Sequence, residues 1–292
     1  MRKWESCVGN SLNTCIFAHC WYLDTLTLSW QAVVMDDYYA VMPFFVDGDK
    51  ACLMHGVAWT GIYSQKGVDA DICGRFIDAL DRKYKKIDLV FDKYFILPLA
   101  DTQGIFLHET VYQLDTVNPP EKFSDGDGFL EVLKRLYPKY YDDSIRFREY
   151  NSKNVGALSC DNFMKMDRKL NIRHALKLRA LVERSVVKRF GYYMEISLSD
   201  NKPHGAILVT FCDGYIFVPY IRCDGIQKSF AQYTMILDFV MRHFAYRPGI
   251  LVIDQARLGI RGDVIRNLGA KAFSTYRYRA GFMIKLRKLL RF

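Results

Sequence analysis

The sequence predicts an α/β protein whose sheets mix antiparallel and parallel strands. Segments with helical periodicity alternate along the chain with short runs of strand-like residues. One of these runs, "PGILVIDQA" at residues 248–256, is apolar almost throughout, as strands buried on both faces of a sheet are. Half of the 292 residues are hydrophobic and 15% are aromatic. A chain of this size and composition forms either one large domain or two of ordinary size.

The first part of the chain is predicted to begin with a helix and continue as a small sheet. Residues 11–26 have helical spacing, and Ser11 or Asn13 would cap that helix. Three strands follow, "WQAVVMD", "YYAVMPFFV" and "KACLMHGV", divided by Asp-rich turns. Residues 70–87 then predict an amphipathic helix, and "IDLVFDKY" and "ETVYQLD" predict two more strands.

A boundary is predicted within residues 116–128, "TVNPPEKFSDGDG". Paired prolines and two Asp-Gly steps favour extended and turn conformations over regular structure. We therefore expect an N-terminal half at 1–122 and a C-terminal half at 123–292, the second opening with the helix "GFLEVLKRLY".

The second half repeats the order of the first. It is predicted to contain the strand "DSIRFREYN", a basic helix within residues 167–190, three antiparallel strands, a helix at 229–244 and the buried strand "PGILVIDQA". A short helix that stops at Gly269 and a last strand complete it. The repeated rhythm indicates an internal duplication.

Charge is distributed unevenly between the two halves. Residues 1–145 carry 14 Lys and Arg against 21 Asp and Glu, a net charge of −7, whereas the remainder carries 27 against 11, a net charge of +16. The basic half is suited to an anion such as a nucleotide phosphate, RNA or acidic lipid. The alternative is that the two halves attract each other.

The sequence lacks the motifs that would favour a G-x-S-x-G hydrolase, a dinucleotide-binding protein or a P-loop protein. No G-x-S-x-G, G-x-G-x-x-G or Walker sequence occurs. The eight cysteines are scattered without a C-x-x-C pair, so we expect no metal site and no disulfide framework. Reduced thiols and the lack of a secretory signal predict a cytoplasmic protein.

The order of elements resembles that of the GNAT acyltransferases, with "VIRNLGAKAFSTYRYR" similar to the last helix-to-strand segment of that family. The hairpin "AVVMDDYYAVMPFF" and the duplicated rhythm resemble the Fem-type (FemAB-like) branch, which has two tandem GNAT-like halves. The resemblance implies transfer of an acyl or aminoacyl group to an amine, from acyl-CoA, acetyl-CoA or aminoacyl-tRNA.

The resemblance also implies a donor site in the loop between Tyr220 and the helix at 229–244. The family binds pyrophosphate there with a pattern (Arg or Gln)-x-x-Gly-x-(Gly or Ala), and main-chain N–H groups at a helix start favour such an anion. Arg222 and Gly225 match the pattern, whereas Gln227 replaces the small residue. The implied donor-binding residues are Tyr220, Arg222, Gly225, Gln227, Lys228 and Ser229.

The catalytic residues of the family are matched at fewer positions than its donor-binding residues. Ile265 stands where many relatives carry a tyrosine that protonates the leaving thiolate. Asp254 follows the buried strand and would act as a base or orient the amine; alternatively it is a strand-end carboxylate paired with an arginine. Tyr276 and Tyr278 are expected to pack on the last strand.

Two functions therefore remain open at the level of sequence. One is an N-acyltransferase, and the other is a catalytically inactive GNAT-fold protein that binds an anionic ligand or partner. The basic amphipathic segment 281–292, "GFMIKLRKLLRF", indicates either a peripheral contact with an anionic membrane or a helix docked on protein.

Overall fold

A computed structural model describes the chain except for residues 1, 28, 55, 100–101, 118–145, 167–169, 198–201, 224–228, 245–246, 248, 255–258, 260–261, 268 and 282–292. The chain forms two compact units. Unit 1 comprises Met1–Thr110 and the chain from Ser274, and unit 2 comprises Val111–Phe273. The predicted boundary at 122/123 lies outside the described residues.

Among its described residues, unit 1 contains three α-helices, one short 3-10 helix and most of the N-terminal strands. Helix α1 spans Arg2–Gly9, a short 3-10 helix spans Ile16–Ala18, α2 spans Cys20–Leu26 and α3 spans Ala70–Lys83. The strands are β1 (Gln31–Met35), β2 (Ala40–Asp47), β3 (Lys50–Cys52), β4 (Tyr63–Ser64) and β5 (Lys86–Val90). Strand β6 (Ile105–Asp115) begins in unit 1, and β12 (Lys271–Ala280) ends there.

The sheet of unit 1 runs in the order β1-β2-β3-β5-β12, with β4 paired to β2. Strands β3 and β5 are parallel because α3 carries the chain back between them, and the other pairs are antiparallel. Helix α3 begins where the Asp69 side chain accepts a hydrogen bond from the Ile72 N–H at 2.8 Å. Its apolar face, Cys73, Phe76, Ile77 and Leu80, packs into the core with Leu89 and Tyr278.

The first helix of the chain differs from the sequence prediction. Residues 11–26 do not form one helix: α1 lies earlier, where Trp4, Cys7 and Val8 are buried at helical spacing. Asn13 does not cap a helix, because its side chain donates to the Asp92 carboxylate instead. The long-range hydrogen bond to Asp92 thus takes the place of the local helix cap that the sequence predicts.

Unit 2 contains the remaining elements. Its helices are α4 (Cys160–Met166), α5 (Ile172–Val187), α6 (Ser229–Phe244) and α7 (Gly262–Asn267), with a 3-10 turn at Val155–Ala157. Its strands are β7 (Arg146–Tyr150), β8 (Gly191–Ser197), β9 (Pro203–Cys212), β10 (Tyr215–Cys223) and β11 (Ile250–Ile253). The predicted helix "GFLEVLKRLY" falls outside the described residues.

The sheet of unit 2 runs β6-β11-β10-β9-β8-β7. Strands β9 and β10 are joined by a tight turn in which Asp213 and Gly214 both have positive φ, as an Asp-Gly hairpin turn requires. Helix α6 packs against one face of this sheet. Its Ile236, Val240 and Met241 form a core with three residues of the strands, Ile216 of β10 and Leu251 and Ile253 of β11. Helices α4 and α5 contact β9 and β8.

Each unit thus contains an antiparallel strand pair followed by a helix and a strand parallel to the second member of the pair. In unit 1 these are β2, β3, α3 and β5, and in unit 2 they are β9, β10, α6 and β11. The mixed α/β architecture that the sequence predicts is confirmed. The duplication into tandem GNAT-like halves stays a prediction.

Candidate active site at the end of two parallel strands

Strands β10 and β11 pair over a short distance only. Their parallel ladder joins Tyr215 to Ile250, Ile216 to Leu251 and Phe217 to Val252. Beyond Phe217, β10 continues to Cys223, whereas β11 ends at Ile253. The described ladder between β10 and β11 therefore stops at Phe217 and Val252.

A bulge sets the direction of β10 at the same point. The register between β9 and β10 shifts between Phe217 and Tyr220, and the intervening Pro219 has no N–H to donate. After the shift, Ile221 and Cys223 face the α6 core. Tyr220 and Arg222 therefore project from the opposite face of the sheet.

The two residues of β10 that are predicted to bind the donor lie close together. Tyr220 is 1% exposed, and its ring contacts Phe163 at 5.9 Å between ring centroids. The Arg222 guanidinium carbon lies 5.9 Å from the centre of the Tyr220 ring, and its Nη1 donates to the Ile221 carbonyl at 2.8 Å. The arginine is thus held against its own strand, next to the start of the predicted loop.

The loop itself is only partly described. Gly225, Gln227 and Lys228 lie outside the described residues. Ser229 is the first residue of α6, as the sequence predicts for the helix that follows the loop. The binding roles of Tyr220, Arg222, Gly225, Gln227, Lys228 and Ser229 stay predictions.

Asp254 follows β11 directly and is partly exposed. Leu251 and Ile253 face the α6 core. Strand alternation therefore predicts that Asp254 lies on the face that bears Tyr220 and Arg222. The catalytic role of Asp254 is untested.

A second carboxylate on this face was missed at the level of sequence. Glu195 on β8 is 4% exposed and accepts hydrogen bonds from the hydroxyl groups of Tyr150, at 2.8 Å, and Tyr193, at 3.2 Å. Burial together with the neighbouring Glu195 raises the pKa of both tyrosines. In register, Glu195 and Arg222 both pair with Ala206 on β9, from opposite sides.

The position compared above with the family's proton donor, and the two tyrosines of the last strand, hold packed side chains. Ile265 on α7 is fully buried in the core of unit 2. Tyr278 is fully buried in unit 1, where its hydroxyl donates to Asp81 at 2.7 Å and accepts from the Gly104 N–H at 2.8 Å. Tyr276 packs against Phe106 and His108. Both tyrosines pack on the last strand, in line with the sequence prediction.

Comparison with solved structures gives matches along almost the entire chain. The C-terminal domain of a proposed lysylphosphatidylglycerol synthetase from Agrobacterium fabrum matches with a TM-score of 0.63 at 9% identity, covering 99% of this chain and 95% of that one. L-PGS from Bacillus licheniformis matches with a TM-score of 0.61 at 9% identity, covering 96% and 91%. A GCN5-related N-acetyltransferase from Sphaerobacter thermophilus matches with a TM-score of 0.50 at 9% identity, covering 95% and 88%.

The chain has a GNAT-like fold. The structure of FemX also matches, with a TM-score of 0.53 at 9% identity, covering 99% of this chain and 97% of that one. At such identity these similarities show the fold alone. No protein-family model and no curated protein matches the sequence.

Two further properties bear on the kind of site. Within the ranges that the structure describes, no group of three or more His, Cys, Asp or Glu side chains is arranged to hold a metal ion. Among the same residues, no helix has both the length and the apolar character needed to cross a membrane. The predicted membrane-binding segment 281–292 lies outside the described residues apart from Gly281.

Proposed function

We propose that this GNAT-like chain transfers an acyl or aminoacyl group from an anionic donor, acyl-CoA or aminoacyl-tRNA, to an amine. The observation that carries the proposal is the end of the β10–β11 ladder at Phe217 and Val252, beside which strand alternation predicts Arg222 and Asp254 on the same face. The Agrobacterium fabrum protein is described as a lysylphosphatidylglycerol synthetase, a name that denotes synthesis of an aminoacylated lipid. This similarity supports an aminoacyl donor as one of the two options.

The residues suit the chemistry in the following way. The amine nitrogen attacks the carbonyl carbon of the donor, main-chain N–H groups of β10 stabilise the negative charge on the carbonyl oxygen, and the thiolate or ribose oxygen leaves. Asp254 accepts the proton that the amine loses. Because Ile265 cannot donate a proton, the leaving group takes one from water. Arg222 and the helix start at Ser229 hold the donor phosphates.

Binding of the donor is tested by thermal unfolding with acetyl-CoA and by retention of aminoacyl-tRNA. We expect at least one donor to raise the melting temperature or to be retained, and Arg222→Glu to abolish the effect by placing an anion beside the phosphates. Arg173→Glu is the matched control, because Arg173 is an exposed residue of α5 and the charge change is the same. No effect of either donor at millimolar concentration would contradict the proposal.

Catalysis is tested separately from binding. In single-turnover transfer to a primary amine, Asp254→Asn is expected to lower the rate by about 10²–10⁴-fold, the usual contribution of a general base. An unchanged rate would remove Asp254 from the mechanism.

The second candidate is an inactive GNAT-fold protein that binds an anionic ligand without transferring anything. The burial of Ile265 in the core favours it, because that position supplies no acid. Donor binding that depends on Arg222, with no transfer product, would select this candidate over the first.

A further inference from the structure

A cavity of about 230 Å³ is lined by residues of unit 1. Strands β10 and β11, which carry the candidate active site, belong to unit 2. The cavity is formed by three stretches of chain: the segment after α1, the segment around β4 and the segment after β5. Most of its lining is apolar, including Leu12, Ile62, Val68 and Phe95. Since one water takes up about 30 Å³, the space suits a small molecule of roughly eight non-hydrogen atoms.

The polar side chains of the cavity are few and specific. Apart from a tyrosine, they are Asn13, Ser64 and Asp92. An apolar cavity with a small number of convergent polar groups is the usual form of a small-molecule site. The chemistry of these three residues therefore decides what the cavity would bind.

Asp92 is a buried carboxyl group held in a fixed position. It is 4% exposed, its Oδ2 accepts from the Asn13 amide at 2.8 Å, and its Oδ1 accepts from the Tyr94 N–H at 3.0 Å. The backbone is shaped to admit it, because a Cβ added at Gly61 would lie 2.3 Å from Asp92 Oδ2. Holding a carboxylate out of water is costly unless a positive charge or a proton accompanies it.

The groups that Asn13 and Asp92 still offer to a ligand are hydrogen-bond acceptors. The Asn13 amide nitrogen donates to both Asp92 and the Ile62 carbonyl, at 2.8 and 3.1 Å, so the amide has its oxygen left to offer. The Ser64 Oγ accepts from the Lys66 N–H at 3.3 Å, and its hydroxyl can still donate or accept. A ligand that matches this set donates hydrogen bonds and carries positive charge.

The cavity borders on apolar side chains that are unusually exposed. Leu12 is 80% exposed and Ile96 is 45% exposed. If the positively charged, hydrogen-bond-donating group of a ligand carried an apolar chain, that chain would cover this surface.

The position of Asp92 in the fold is itself informative. Strand β5 ends with Leu89-Val90 and is followed by Phe91-Asp92, and β11 ends with Val252-Ile253 and is followed by Asp254. In both units an aspartate thus follows the strand that runs parallel to its neighbour. Asp92 is the buried member of the two, since Asp254 is partly exposed.

From these observations we propose that the cavity binds a small primary ammonium ion with an apolar body, held by Asp92 and Asn13. The ammonium group donates to the Asp92 carboxylate and the Asn13 oxygen, and its apolar body fills the space between Leu12, Ile62 and Val68. This binding does not depend on the transferase activity proposed above. The two proposals therefore fail independently.

The experiment compares three probes of equal chain length by calorimetry at about pH 7.5, where an alkylamine is charged. The probes are n-hexylammonium, n-hexanol and hexanoate. We expect saturable 1:1 binding of n-hexylammonium, at least about tenfold weaker binding of n-hexanol, and no binding of hexanoate at about 10 mM, because charge-assisted hydrogen bonds are the stronger ones.

Two variants test the assignment to this cavity. Asp92→Asn is expected to weaken n-hexylammonium binding about tenfold or more. Val68→Phe fills the space and should abolish binding of every probe, so the test survives if the first variant folds poorly. Asp238→Asn is the matched control, because Asp238 is also a buried aspartate but lies on α6; its binding should be unchanged.

Three results would overturn the proposal. The first is equal affinity for n-hexanol and n-hexylammonium, and the second is no binding of the ammonium at about 10 mM. The third is a homodimer, detected by size-exclusion chromatography and disrupted by Leu12→Ser, in which a second copy covers the exposed apolar residues.

Discussion

Asp92 shows how strongly burial alters a single carboxyl group. Burial raises its pKa from 3.8 to about 6, although hydrogen bonds from Asn13 and the Tyr94 N–H act in the opposite direction. In the unfolded chain the group ionises near its ordinary value. Between these two values the folded protein binds more protons than the unfolded one, so the free energy of unfolding falls as the pH rises.

We therefore expect Asp92 to lower the free energy of unfolding by roughly 3 kcal/mol between about pH 4 and pH 7, since a tenfold change in an acid dissociation constant corresponds to about 1.4 kcal/mol. The measurement is urea denaturation across that range for the wild type and Asp92→Asn. The variant should lack this component of the pH dependence. As a control, Asp71→Asn alters an exposed aspartate of α3 and should leave the pH dependence in place. The same dependence in wild type and Asp92→Asn would show that Asp92 does not titrate differently on folding.

Asp88 connects three strands of unit 1. Its carboxylate accepts from Lys50 on β3 at 3.1 Å and from Arg277 on β12 at 2.7 Å. Burial acts to raise the pKa of Asp88, but the hydrogen bonds and charges of Arg277 and Lys50 outweigh it and lower the pKa to about 2. The stabilisation is therefore complete above the ordinary pKa of an aspartate and is lost as the pH falls toward 2.

Replacement of Asp88 should destabilise the protein, because its carboxylate joins β5 to both β3 and β12. We expect Asp88→Asn to lower the free energy of unfolding near neutral pH by about 1–2 kcal/mol, because Arg277 and Lys50 each lose a charged partner. Chemical denaturation measures the change. Asp78→Asn provides the comparison, since its pair with Arg82 is largely exposed and should contribute less than about 0.5 kcal/mol. Equal effects of the two variants would refute a special role for Asp88.

The elements also show which parts of the fold the sequence predicts well. Helix α6 spans the predicted residues 229–244, because a clear apolar periodicity is bounded by a polar start and by the break before β11. The prediction of a single helix at residues 11–26 was wrong, because the chain forms a 3-10 helix at Ile16–Ala18 and the separate short helix α2 at Cys20–Leu26. Local periodicity does not distinguish one long helix from two short ones.

The candidate site was predictable in part for a related reason. Tyr220, Arg222 and Asp254 stand at the ends of recognisable strands, so their approximate placement follows from the order of elements. Glu195 did not stand out, because a glutamate on a strand is usually solvent-exposed. It is buried because α4 covers this part of the sheet, with Phe163 of α4 lying against Tyr193 at 5.7 Å, and α4 has no clear pattern in the sequence.

On the scale of the molecule, the chain order and the compact units do not coincide. Unit 1 takes in the chain from Ser274, although unit 2 occupies the residues between. The end of β12 pairs with β5, and Tyr278 lies in the core of unit 1 beside Leu89. Without this segment β5 would be an open edge, and Asp81 would lose its tyrosine partner.

We accordingly expect the fragment 1–110 not to unfold cooperatively when it is made alone. Addition of a peptide covering residues 270–281 should restore a cooperative transition, followed by circular dichroism. The same peptide with Tyr278→Ala should restore it less well, because Tyr278 fills the core and satisfies both Asp81 and the Gly104 N–H. A cooperative transition of the fragment by itself would show that β12 is dispensable for unit 1.

This arrangement has a consequence for how the protein is made. A ribosome releases residues 1–110 long before it has synthesised residue 280, so the first unit emerges from the exit tunnel without one of its own strands. Until residue 280 has left the tunnel, the nascent chain exposes the flank of β5, and chaperones have a defined interval in which to protect it.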